Sequence, residues 1–224
     1  MNPLIVSLLA ALFSVAAHGA PAASMPAGSP PVLPDGGSPQ PDTTPRLAYG
    51  FLMKHGEKLV FAPCRDRSYA LVEDVSSDRQ VTRGLEMAGV ADGRKYYVEL
   101  LGVLDGGALR ASELNLARAE GRCQKPGGSD EAWLASGNEP GWVLAAGGEL
   151  VSFKRQGGGE LKLPYRPFER RDNTASYSVQ GEAGRLDIRF ERKLCRDGMA
   201  DAVTGWSAEV NVDGKTLRGC AWQR

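Results

Sequence analysis

The chain of 224 residues is poor in histidine, has no closely spaced cysteine pair, and carries no excess of either charge. Only two histidines occur, His18 and His55. His18 falls in a segment read below as a removable leader, so a multi-histidine metal site is excluded and any Ser–His nucleophile would have to recruit His55 from a predicted hairpin tip. The four cysteines lack a Cys-x-x-Cys spacing, which argues against a four-thiolate zinc site. Lys plus Arg and Asp plus Glu both number 27, with no long single-sign run, so nothing favours attraction to nucleic acid or to an anionic membrane. No apolar run reaches the roughly 20 residues of a bilayer span. The reading therefore assigns no catalytic residue, no metal and no cofactor.

What the chain does contain begins with an apolar run over 4–17, followed by small residues, the pattern of a signal peptide over 1–19 with cleavage near Gly19 or Ala22. No cysteine precedes Cys64, which excludes a lipid-modified N-terminal cysteine and predicts a soluble exported product in the periplasm, without a membrane span or lipid anchor. Residues 20–45 are dominated by Pro, Gly, Ser and Ala, a composition that cannot repay its ordering entropy and predicts a disordered linker. An even number of cysteines in an oxidising compartment predicts two disulfides. Of three possible pairings, Cys64 with Cys123 and Cys195 with Cys220 staples each half separately. Loop closure would then contribute about 4.3 and about 3.5 kcal/mol respectively.

The patterning predicts a mainly β chain of two small antiparallel domains. In the first, over 46–124, strands are expected at 47–53, 58–64, 68–73, 96–104 and 109–118. Between the third and fourth, Ser77-Asp78-Arg79-Gln80 resembles a capping box, with Val81, Leu85 and Ala88 at helical spacing and Gly89 as a stop. Gly84 weakens that short helix. The order, three strands, helix, two strands, is that of an OB-like barrel. Residues 124–130, with Pro126-Gly127-Gly128, mark the boundary. The second domain, 131–224, reads as an antiparallel barrel or sandwich of about seven strands, the first at 142–146.

A hairpin is predicted near the C-terminus. Trp206, Ala208, Val210 and Val212 alternate with polar residues, and Asp213-Gly214 supplies a type I′ turn. The register sets Val210 opposite Leu217 and Glu209 opposite Arg218, which places Cys220 on the outer face with Glu209 and Arg218 unless Gly219 hosts a bulge that shifts it. A Cys195–Cys220 bridge would then pin the 196–205 loop across the sheet's rim or outer face. Two polar clusters invite suspicion: Gly137-Asn138-Glu139-Pro140-Gly141-Trp142, and 196–201 after Cys195. Asn138, Glu139, Trp142, Asp197 and Met199 are the candidate binding residues, and Glu139 with Asp197 could in principle serve as acid and base. Arg166, Arg170 and Arg171 form a basic loop diluted by Glu169 and Asp172, and Gly157-Gly158-Gly159 reads as a hairpin loop.

GNEPGW at 137–142, the Cys-x-Asp-x-Met string at 195–199 and DGKTLRGC at 213–220 resemble an uncharacterised bacterial family of periplasmic proteins and lipoproteins. Its members carry GNEPFW, Cys-x-Asp-x-Met-Ser and a closing Gly-Cys. That family is described as similar to NlpE-type and META-type envelope proteins, and YGFLMKHGEKLVFAPC at 49–64 looks like an NlpE-type opening. Three departures stand out: Gly141 replaces an aromatic residue, Ala200 replaces serine, and the anchor cysteine is missing. The resemblance implies compartment and fold. Together these readings predict a non-enzymatic envelope binding module whose partner is an envelope protein or a cell-wall fragment. An inhibitor of a secreted hydrolase such as lysozyme is the alternative, and a carboxylate-dependent glycan hydrolase a remote one.

Overall fold

A computed structural model describes residues 43–123, 131–181 and 184–224. The predicted leader, most of the predicted linker and the predicted boundary at 124–130 lie outside the described residues. β1 (Arg46–His55) and β2 (Lys58–Pro63) form a hairpin, followed by β3 (Ala70–Asp74). A 3₁₀ turn at Ser77–Arg79 leads into α1 (Gln80–Met87), then β4 (Lys95–Asp105) and β5 (Ala108–Arg118). β1 pairs with β2 and β4, β2 with β3, and β4 with β5, all antiparallel, while β3 meets β5 in parallel and closes a five-stranded ring. This is the OB-like order 1-2-3-5-4-1. Leu52, Val98, Leu100 and Leu114 fill the barrel, and Val81 and Leu85 of α1 join the same core.

The helix enters differently from the predicted capping box. Asp78 and Arg79 both take positive φ, and Gln80 turns its amide oxygen to accept from Leu114 N–H at 3.0 Å. The cap comes from upstream. Asp74 accepts from Thr82 N–H at 2.7 Å and from Thr82 Oγ1 at 2.6 Å, and Ser76 Oγ accepts from Val81 N–H at 3.0 Å. Partial burial of Asp74 would raise its pKa, but the hydrogen bonds from Ser76 and Thr82 outweigh burial and hold it below the ordinary value. Gly84 proves to be a close-packing residue: a Cβ there would stand 2.3 Å from Leu114 Cδ2.

The second half contributes β6 (Glu131–Asn138), β7 (Gly141–Gly147), β8 (Leu150–Arg155), β9 (Glu160–Pro164), β10 (Glu169–Arg171), β11 (Thr174–Gly181), β12 (Gly184–Glu191), β13 (Cys195–Asp197), β14 (Ala202–Thr204), β15 (Trp206–Val212) and β16 (Lys215–Gln223). Nine of these form a curled antiparallel sheet in the order β10-β11-β12-β15-β16-β6-β7-β8-β9. Its concave face is packed with aromatics. Trp133 lies 4.8 Å from Phe190 and 5.0 Å from Trp206 between ring centroids.

β6, β10, β13 and β14 were not among the predicted strands. β13 and β14 leave the curled sheet altogether: β14 pairs with β5, Val203 opposite Ala117, and extends the sheet of the barrel. The β15–β16 hairpin has the expected register, with Asp213 and Gly214 at φ 52° and 72°. Both predicted disulfides are present, Cys64–Cys123 and Cys195–Cys220, with Cα separations of 5.3 and 5.4 Å. Cys220 takes its expected outer face, yet that face is covered there, and only 3% of Cys220 is exposed.

Candidate functional site

The two suspected polar clusters come together in space. Glu139-Pro140, joined by a cis peptide bond, is the two-residue turn between β6 and β7. The Cys195–Cys220 bridge holds β13 against β16, which carries the 198–201 turn to the same place. Asn138 Nδ2 donates to Asp197 Oδ1 at 2.8 Å. The same oxygen accepts from Met199 N–H at 3.0 Å and Ala200 N–H at 3.1 Å. One carboxylate oxygen therefore fixes the turn and ties it to the β6–β7 hairpin, a local side-chain-to-backbone arrangement typical of Asp before glycine.

These contacts bound an open groove of about 690 Å³ lined by Asn138, Glu139, Gly198, Met199, Thr216 and Arg218. Met199 is 82% exposed. Arg218, largely in water, lies 3.6 Å from the half-buried Glu209 on the adjacent strand, and Thr216 Oγ1 donates to Asn211 Oδ1 at 2.9 Å. Glu139 makes no hydrogen bond or ion pair among the described residues. Four of the five predicted residues, Asn138, Glu139, Asp197 and Met199, thus belong to one place.

Trp142 does not line the groove. Its ring is buried in the core of the curled sheet, 6.0 Å from Phe153, and its Nε1 donates to Arg218 O at 3.3 Å. A Cβ at Gly137 would sit 2.3 Å from Trp142 Nε1, and one at Gly219 would sit 2.8 Å from Trp142 Cζ2 and 2.0 Å from Ser136 O. The glycines of GNEPGW and RGC are therefore the space that Trp142 and the strand pairing occupy. The space beside Gly141 is taken by Gln156, whose amide oxygen would be 2.9 Å from a Cβ there.

The candidate acid–base pair fares unequally. Asp197 is committed through Oδ1 to three N–H donors, while Glu139 is unencumbered. His55 lies at the end of β1, on the hairpin of the barrel. Among the described residues no group of three or more His, Cys, Asp or Glu side chains is placed to hold a metal ion. The basic loop is partly structural: Arg170 lies over the Trp133 ring at 5.3 Å and donates to Gln223 Oε1 at 2.9 Å. Gly157 to Gly159 lie in the turn between β8 and β9.

A second polar cluster escaped the sequence reading and lies where the barrel meets the curled sheet. Glu99, 1% exposed, accepts from Tyr97 Oη at 3.0 Å and from Asn115 Nδ2 at 2.8 Å. Asn115 also pairs with the backbone of Gln223 in both directions, at 2.9 and 2.8 Å. Nearby, Glu113 accepts from Trp206 Nε1 at 2.7 Å and pairs with Arg192 at 3.1 Å. Burial raises the Glu99 carboxyl above its ordinary pKa, against the hydrogen bonds from Tyr97 and Asn115 and the charges of Arg224 and Arg118. Burial and the adjacent Glu99 push the Tyr97 hydroxyl upward as well.

Thr216 and Arg218 were missed as groove residues although their signal was present. The hairpin register placed Thr216, Arg218 and Cys220 on one face, and the predicted bridge carries the 196–205 segment over it. Comparison with protein-family models, with curated proteins and with solved structures finds no match.

Proposed function

We propose that this chain is an exported, non-enzymatic binding module of the bacterial envelope, acting in envelope homeostasis or stress response, and that its recognition surface is the groove between the β6–β7 turn and the 198–201 turn. The observation that carries this reading is the division of labour within the groove. Asn138, Asp197 and the Cys195–Cys220 bridge are consumed in holding its shape, whereas Glu139, Met199 and Arg218 present a carboxylate, a thioether and a guanidinium to solvent. A surface held in place before binding loses less entropy when a partner docks. Two disulfides support an oxidising compartment such as the periplasm, and among the described residues no helix is long and apolar enough to cross a membrane. The partner on this reading is an envelope protein or a cell-wall fragment, and the resemblance of the 137–142, 195–199 and 213–220 motifs to a family described as similar to NlpE-type and META-type proteins points the same way.

One observation favours a narrower second reading. Met199 stands 82% exposed on a turn anchored at both Cys195 and Asp197, the kind of rigid projecting loop that can enter the cleft of a secreted hydrolase such as lysozyme. Titration separates the two. Soluble muropeptides and lysozyme are each added to the purified protein, with binding followed calorimetrically and products by chromatography. The binding-module reading expects saturable heat without turnover, weakened in Arg218→Glu. Loss of lytic rate at stoichiometric excess selects the inhibitor. Turnover of muropeptides that vanishes in Glu139→Gln overturns both.

A further inference from the structure

We infer a second binding site on the OB-like barrel, in the groove between α1 and the β1–β2 hairpin, for a small apolar zwitterion, a free amino acid or short peptide that carries one free amine and one free carboxylate. The groove encloses about 440 Å³, a size at which small-molecule sites are common. Leu85, 2% exposed, and the half-buried Leu59 contribute its apolar lining. Four charged residues border it: Lys54 and Arg79 of one sign, Glu57 and Glu86 of the other. None of the four forms an ion pair among the described residues, so unlike charges share one concavity without neutralising each other. A ligand of a single charge would meet repulsion from two of them. A small zwitterion satisfies both signs and lays its side chain on the leucines.

Two features hold the walls in place. Asp92 Oδ1 accepts from Gly56 N–H at 2.9 Å, which anchors the hairpin turn, and a backbone bridge joins Lys54 to Asp92. On the opposite wall, Asp78 and Arg79 take φ of 52° and 54° in succession, an unfavourable conformation for side-chain-bearing residues, and Arg79 lines the groove directly before α1 begins. Lys54 is the least exposed of the four charged residues.

The test is a ¹⁵N–¹H NMR titration of the exported chain with L-leucine, trileucine and octanoate, each to about 10 mM, the range of weak small-ligand affinity. Saturable shifts at Leu59, Leu85 and Glu86 with leucine identify a free amino acid as the ligand, and shifts with trileucine alone identify a peptide. Octanoate should bind at least about fivefold more weakly, and Lys54→Met and Glu86→Gln should each weaken binding by up to about fivefold, the worth of one exposed ion pair. The inference is overturned if neither leucine nor trileucine gives saturable shifts there, or if octanoate binds as tightly as they do.

Discussion

Two clusters in this chain are built from the same side chains and treated in opposite ways by the fold. At the junction of barrel and curled sheet, Glu99, Asn115 and Glu113 are buried, and each is bonded to a named partner. At the groove, Asn138, Glu139 and Asp197 stand at the surface, and only Asn138 and Asp197 are bonded. At the junction Asn115 and Glu113 bond across to Gln223, Trp206 and Arg192, while Glu99 is held by Tyr97 and Asn115 of the barrel. The groove uses one carboxylate to fix its own shape and leaves another free. On the proposed reading, the recognising carboxylate, Glu139, is set apart from Glu99 and Glu113 by its unoccupied bonding capacity and not by burial.

Breaking the same residue type in the two places gives the sharpest contrast. Asn115→Ala should destabilise the fold by about 4 kcal/mol, because it strands a buried carboxylate oxygen and both backbone groups of Gln223, each worth about 1–3 kcal/mol when unpaired. Chemical denaturation reads this directly. Replacing Cys195 and Cys220 together by alanine should cost about 3.5 kcal/mol and free the 198–201 turn.

Glu99→Gln tests the junction through pH. Because burial raises the folded pKa of Glu99, the folded chain holds that proton more tightly than the unfolded chain does. The stability this provides is fully present below the unfolded value, about pH 4, and is lost as pH rises through the higher folded value. Glutamine removes that dependence, so denaturation curves should show the parent gaining less stability than the variant as pH rises above about 4; a constant difference would contradict the assignment. Asn138→Ala, at the surface, should cost only about 1 kcal/mol, with hydrogen exchange at Met199 and Ala200 accelerated. Arg218→Glu should leave stability within about 0.5 kcal/mol while weakening binding at the groove.

Period-two alternation made the C-terminal hairpin readable to the residue, and strand–helix–strand order made the OB-like barrel readable from turn signals alone. The strands that escaped notice explain the limits. β13 and β14 are three residues each, too short for any periodicity, and their pairing with β5 is a long-range event with no local signature. β6 begins beside a Pro-Gly-rich stretch, and its Trp133-Leu134-Ala135 run does not alternate cleanly. Trp142 was misplaced because a tryptophan beside a polar turn reads equally well as a ligand platform or as core. Only the cross-strand contact with Gly137 and Gly219 decides for core. Glu99 lay hidden because a charged residue in an alternating strand is assigned to water, whereas here a second sheet covers that face.

The most direct test places a photo-crosslinking amino acid at Met199 in the full chain produced in cells, with the same group at Leu150, 48% exposed and outside the groove lining, as the reference. The account predicts a single discrete adduct from position 199 that disappears when Arg218→Glu is added, and none from position 150. Equal adducts from both positions, or an adduct at 199 indifferent to Arg218→Glu, would contradict the assignment of the groove as the recognition surface.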